Sequence, residues 1–172
     1  HSLQLDQIKP DYNPFLRYGQ AQLFLAEKHG QPIGRISAHI NPRHDSYHNE
    51  RGGFFGFFEC INDQNATDAL VEAARTWLRS RDAHWIRGPI SFTINQESGT
   101  LVEGFDTPPM VGMPHGRPYY DNLLGKTGLS KIKDLFAWHY PVDNLPQRSL
   151  IARKRILSLN NVSIREMNKN NL

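Results

Sequence analysis

The sequence predicts an α/β domain with a central sheet covered on both faces, and three stretches carry that prediction. The first is Gly52-Gly-Phe-Phe-Gly-Phe-Phe-Glu-Cys-Ile61, which places four phenylalanines in five positions. Side chains alternate along a strand, so Phe54 and Phe58 are expected on one face and Phe55 and Phe57 on the other. A strand apolar on both faces belongs in the middle of a sheet with a layer on each side. The second stretch is 66–81, where Leu70, Ala73, Ala74, Trp77 and Leu78 recur at the three-and-four spacing of a helix that lays one stripe on the sheet. The third is the pair of strand-like runs 22–28 and 33–40, joined by His29-Gly-Gln-Pro32 as a hairpin connection.

The remaining elements follow in chain order. Residues 1–20 are an entry segment broken by Pro10 and Pro14, and 41–50 reads as a loop. The polar link 62–65 ends on Asn65, a candidate N-cap, with Asp68 three residues on to complete a capping-box-like pair. A tight turn at 81–83 leads into a short strand over 84–90. Residues 91–118 are rich in Gly, Pro, Asn and Glu, and a stretch of that length with aromatics in it reads as an ordered lid. A short helix over 118–126 starts at Pro118 and stops before Gly128. Residues 129–140 are expected to form a final strand or strand pair, with Leu135, Phe136 and Trp138 as its apolar content. Beyond Pro141 the character changes. Residues 145–157 form a basic amphipathic helix with Leu150, Ile151, Ile156 and Leu157 on one side, Asn160-Asn161 a turn, and 162–167 an alternating, strand-like run. The division is therefore a domain over 1–140, then a basic helix and strand over 141–172 leading toward a second unit.

Composition narrows the function classes. At 172 residues, 38% hydrophobic and 22% charged, the chain is a soluble globular protein with enough apolar content for a core. No apolar run approaches the roughly 18 residues that span a bilayer, and no basic-then-apolar leader is visible. With Cys60 as the single cysteine, the chain is expected in a reducing, cytoplasmic setting, and Cys60 itself reads as a small buried hydrophobe. The net charge of +3 is unevenly spread: residues 1–146 carry 14 Lys+Arg against 16 Asp+Glu, and 147–172 carry 6 against 1. The globular part thus lacks the broad cationic face of a nucleic-acid binder, and no nucleic-acid partner is expected. The basic helix 145–158 is instead a candidate contact for an anionic membrane surface. His39, His44 and His48 show no HExxH or facial-triad spacing, and Pro42 argues against two of them sharing a helix face, so no metal is expected.

Strand, hairpin, strand, loop, Phe-rich strand, polar link, helix, strand, helix, strand is an order that resembles the GNAT acyl-CoA N-acyltransferase superfamily. Residues 62–70 lie where that superfamily has its pyrophosphate-binding loop, and Tyr119-Tyr120 leading to Gly128-Leu129 is similar to the ending of GNAT domains. Gly34-Arg-Ile36, Gly53-Phe-Phe-Gly-Phe-Phe-Glu59, Gly88-Pro89, Leu101-Val-Glu-Gly-Phe-Asp106 and Pro118-Tyr-Tyr120 narrow the likeness to larger bacterial GNAT-like proteins that carry a second GNAT-like unit. The resemblance runs from about residue 13 to 140. It implies a mixed, mostly antiparallel central sheet flanked by helices, with the long ordered loop before the last helix.

The resemblance also implies a chemistry: transfer of an acyl group from acetyl-CoA or a longer acyl-CoA to an amine, lipid amines among the acceptors. The CoA thioester would lie along Phe58, Cys60, Ile61, Asn62, Gln64, Asn65, Ala66 and Thr67, its pyrophosphate on the amides and dipole at the start of the long helix. Here the chain departs from the family, with Asn65 and Thr67 in place of glycines and with Asp63 and Asp68 opposing a dianion. Glu59 would be the base, its pKa raised by burial beside Phe55 and Phe57. Tyr120 would protonate the leaving thiolate, because Leu124 stands where the family usually has its tyrosine. Asn95, Glu97, Glu103, Asp106, His115 and Tyr119 are substrate-side candidates. A second GNAT-like unit or a homodimer is the implied partner. The rival expectation, from a different class, is a catalytically silent GNAT-fold module that holds a ligand or partner in the 91–118 cleft.

Overall fold

The computed structural model describes residues 2–139, 141, 143, 145–159, 161–163 and 165–168. The chain divides into two compact units, 1–133 and 134–172. In the first, four strands are ordered β1 (Gln20–Lys28), β2 (Gln31–Ile40), β3 (Gly52–Cys60) and β4 (Trp85–Arg87), with antiparallel pairing except between β3 and β4. The mixed, mostly antiparallel sheet is thus the observed one. The hairpin turn is tighter than four residues: His29 (φ 53°) and Gly30 (φ 75°) alone join Lys28 to Gln31. Two left-handed residues match the twist of the strands they connect, and Pro32 is absorbed into β2.

The Phe-rich segment is strand β3 as expected, but its phenylalanines are sorted differently. Phe55 and Phe58, not Phe54 and Phe58, share a face with Ile36, Ala38, Leu70, Val71, Ala74 and Leu78 in the core beneath the long helix. The cause is a β-bulge: the register passes from Arg35↔Glu59 to Ser37↔Gly56, so Ile36 faces two residues, and Phe57 takes φ 48°. One extra residue breaks the period-two alternation beyond it. Phe54 and Phe57 therefore meet the opposite layer, Phe54 stacking on His39 (5.5 Å) and Phe57 touching Phe92 edge-on (4.9 Å). The bulge needs Gly56, because a Cβ there would run into the carbonyl oxygen of Ile90. Since that neighbour is backbone, Gly56→Ala is expected to destabilise the protein by roughly 1–3 kcal/mol, read as a lower urea midpoint with an unchanged m-value.

Among the described residues, two short α-helices and a 3-10 turn, Pro14–Arg17, come before the long helix. Helix α1 spans Ser2–Gln7, and α2 spans Pro42–His48, where a loop was expected. Asn41 caps α2, accepting from the amides of Arg43 and His44, and Pro42 occupies the first turn, where a missing N–H costs nothing. The helix sets His44 and His48 one turn apart with rings 4.4 Å from each other, which corrects the reading that Pro42 keeps them off one helix face. The long helix α3 is Gln64–Arg79 rather than 66–81, because Asp63 and not Asn65 is its N-cap. Strand β4 is confined to three residues, and helix α4, Tyr120–Lys126, begins two residues later than expected.

On the second face of the sheet, among the described residues, Phe15 and Phe92 pack over His39, and His44 of α2 meets Phe54 edge-on. Leu23 and Leu25 on β1 remain 44% and 59% exposed. Residues 91–118 contain no helix or strand beyond an isolated bridge between Ile90 and Ser98. Residues 129–139 form no strand either; Ile132, Leu135, Phe136 and Trp138 are exposed, and Tyr140 lies outside the described residues. In the second unit, α5 is Gln147–Leu157, and the described part of 162–167 is not a strand. Asn160 and Ile164 lie outside the described residues. Among the described residues no helix is long and apolar enough to cross a membrane.

Candidate active site

The chemistry-bearing residues converge where β3 ends beside α4. The Tyr120 hydroxyl donates to Glu59 Oε2 at 2.6 Å and accepts from the Cys60 amide at 3.3 Å. Tyr119 donates to the Cys60 carbonyl at 3.2 Å. Packing fixes Tyr120: it is 4% exposed, its ring meets Phe58 edge-on at 5.1 Å, and Leu123 and Leu124 bury the same helix. Two contacts from α3 hold α4 in place, Gln64 Nε2 donating to the Leu123 carbonyl (3.1 Å) and Arg75 donating to the Thr127 carbonyl (2.8 Å). The latter sets a cation against the negative end of α4.

The two partners sit in unlike surroundings. Burial and the hydrogen bond to Glu59 push the Tyr120 phenol well above its ordinary range, so it keeps its proton. Glu59 is not buried beside Phe55 and Phe57 as expected; its side chain is 55% exposed and faces Arg35, its partner on the adjacent strand β2, at 3.9 Å. An ion pair this open contributes little to stability, but it keeps a carboxylate at the sheet surface with one oxygen held by Tyr120. Arg35 escaped the sequence reading as a site residue because its place opposite Glu59 depends on the bulged register.

The start of α3 is arranged differently from a phosphate loop. The Asp63 carboxylate accepts from the amides of Asn65 (2.9 Å) and Ala66 (3.3 Å), and lies 3.8 Å from the Lys28 ammonium. Thr67 is fully buried, its amide and hydroxyl both donating to the Asp63 carbonyl at 3.1 Å and its hydroxyl also reaching Cys60 Sγ at 3.6 Å. Ala66 is buried, and Gln64 spends its amide nitrogen on Asp68 and Leu123. Asn62, Asn65 and Ile61 are exposed. As arranged, this helix start does not fit a diphosphate, because the amides of Asn65 and Ala66 already have the Asp63 carboxylate as acceptor. The N-cap rule carried the signal, since Asp63 is as good a cap as Asn65. Burial raises the Cys60 thiol further from reactivity, in keeping with a buried apolar role.

The loop candidates stay apart from this centre. Asn95, Glu103, Asp106 and His115 are exposed, His115 lying 6.3 Å from the Phe105 ring, and the Glu97 carbonyl accepts from the Ser91 amide. Among the described residues, no hydrogen bond or ion pair joins Asn95, Glu97, Glu103 or His115 to Glu59 or Tyr120. His44 lies 3.6 Å from Asp45 and 3.7 Å from Glu50, and no group of three or more His, Cys, Asp or Glu is set out as a metal site among the described residues.

No protein-family model matches the chain, and no solved structure matches it. Two curated proteins do. The chain is 46% identical over 117 residues to "Protein YghO" of Escherichia coli (strain K12), covering 68% of this chain and 30% of that one. It is 39% identical over 152 residues to "Bacterial ceramide synthase" of Caulobacter vibrioides (strain NA1000 / CB15N), covering 88% of this chain and 39% of that one. The chain thus spans well under half the length of either relative.

Proposed function

We propose that the protein is an acyltransferase that moves an acyl group from a thioester to an amine, a lipid amine being the acceptor class that the relative named for ceramide synthesis supports. The observation that carries the reading is the 2.6 Å hydrogen bond from Tyr120 to Glu59 at the accessible end of a buried strand. Glu59, an exposed carboxylate, receives the proton that the ammonium form of the acceptor must lose before nitrogen attacks the thioester carbon. The tetrahedral intermediate then collapses, the carbon–sulfur bond breaks, and the thiolate takes a proton.

The raised pKa of Tyr120 decides how that last proton travels. A phenol above its usual value of about 10 is a poor acid toward a thiolate whose conjugate thiol titrates near 8.5. It serves only if its proton is replaced as it leaves. Glu59, now protonated and 2.6 Å away, is placed to replace it. One ammonium proton thus passes from amine to carboxylate to phenol to thiolate, and both side chains end as they began. The second N–H proton, which the tetrahedral intermediate must shed to become an amide, goes to bulk water. Acetyl-CoA or a longer acyl-CoA is the donor class that the GNAT resemblance implies.

The test is amide formation by the purified protein, followed by mass spectrometry with acetyl and long-chain thioesters and a panel of amines that includes sphingoid-type bases. Product that depends on Glu59 supports the reading. Absence of product with every pair leaves the silent binding module as the better account, which the internally filled phosphate loop also favours.

A further inference from the structure

We infer that the acyl donor is recognised as a pantetheine thioester without its nucleotide, because Asp63 occupies from within the chain the place a donor diphosphate would take. This rests on the thioester reading above. A sixteen-residue helix offers its first amides and its dipole to an anion. Here the anion is already supplied: Asp63 Oδ1 takes the amides of Asn65 and Ala66, and Oδ2 faces Lys28, the nearest cation. The Thr67 amide makes the first i→i−4 bond of the helix, to the Asp63 carbonyl, and the Thr67 hydroxyl points inward to the same oxygen. An incoming diphosphate would meet a carboxylate where it needs donors, with Asp68 one turn along.

The helix start that would grip the diphosphate half of a CoA-type donor is therefore satisfied internally. Recognition is left to the acyl chain and the thioester-proximal arm. Such an arm is shared by acyl-CoA and by an acyl-carrier protein, and both present the same reacting group.

The experiment compares one acyl group carried on CoA, on free pantetheine and on a carrier protein, together with calorimetric titration of 3′-phospho-ADP. Wild type and Asp63→Ser are used; serine keeps an N-cap oxygen but removes the charge. The expected result is a pantetheine thioester used within a few-fold of the CoA thioester and no measurable nucleotide binding by wild type. In Asp63→Ser, nucleotide binding should become measurable and preference for CoA should rise about tenfold, the scale of one helix-end charge. A carrier-protein donor preferred over free pantetheine would name the source. Wild type that binds the nucleotide, or prefers CoA over pantetheine by more than about a hundredfold, overturns the inference. If no thioester is turned over, the acyl-transfer reading fails while the titration still decides the role of Asp63. Nucleotide binding that appears only in Asp63→Ser keeps it, and equal binding to both proteins rejects it. Should the serine variant not fold, Asp63→Asn and the wild-type donor comparison decide the question.

Discussion

Glu59→Gln should lower kcat/KM for acyl transfer by about 10²–10⁴-fold, the usual contribution of a positioned general base. Glutamine keeps the length and shape of the side chain, and its oxygen still accepts from the Tyr120 hydroxyl, so the fold is expected to survive. What disappears is the ability to take the acceptor's proton. Tyr120→Phe should cost less in rate, about 10- to 100-fold, because solvent can protonate a thiolate more readily than it can deprotonate a bound ammonium. It should also lower stability by about 1 kcal/mol, since the Cys60 amide loses its acceptor. Both variants are read from initial rates of amide formation beside denaturation curves. A Glu59→Gln protein with wild-type rate would move the base elsewhere and remove the site assignment.

Phe92→Ala should cost about 3–5 kcal/mol of stability, the range for emptying a large buried aromatic site. Phe92 is 2% exposed, stacks on Phe15 at 5.0 Å and meets His39 and Phe57 edge-on. It is also the lid over His39, which is fully buried, neither ring nitrogen making a well-formed hydrogen bond among the described residues. Burial lowers the His39 pKa from 6.5 to about 3, and the Phe92 backbone opposes this only in part. The sign of the pH effect follows. Above pH 6.5 the ring is neutral in both folded and unfolded states, and His39 contributes no pH dependence. As pH falls from 6.5 toward 3, the unfolded chain binds a proton that the folded chain does not. Stability should then fall by up to about 1.4 kcal/mol per pH unit. His39→Leu should remove that slope, measured as unfolding free energy at pH 7, 6, 5 and 4. If wild type and His39→Leu lose stability in parallel, His39 is not the buried neutral base that its cage of rings requires.

How much of this was readable in the chain differs by element. The strands β1, β2 and β3 and the helix α3 rest on local signals: alternation, helical periodicity and turn chemistry. Glu59 and Tyr120 are separate candidates from the family resemblance, and their contact across 61 residues belongs to the fold. Helix α2 was missed although its signals were local, Asn41 and Pro42 being a cap and a first-turn residue. The strand expected over 129–140 failed for a non-local reason. An apolar run becomes a strand only when another strand's hydrogen-bonding groups lie beside it, and residues 129–139 have no such neighbour among the described residues.

By itself, then, the sequence determined a mixed α/β domain and a buried strand feeding a helix, and it offered Glu59 and Tyr120 as separate candidates. Only the tertiary structure decided which faces the phenylalanines take, which residue caps α3, and that Glu59 stands open to solvent while Tyr120 is enclosed. Each of these turns on register. A single bulged residue at Phe57 changes which side chains cross the sheet, and a shift of two residues in the helix start puts Asp63 on the amides. Such choices are settled by the summed packing and hydrogen bonding of distant segments, which no local window of sequence contains.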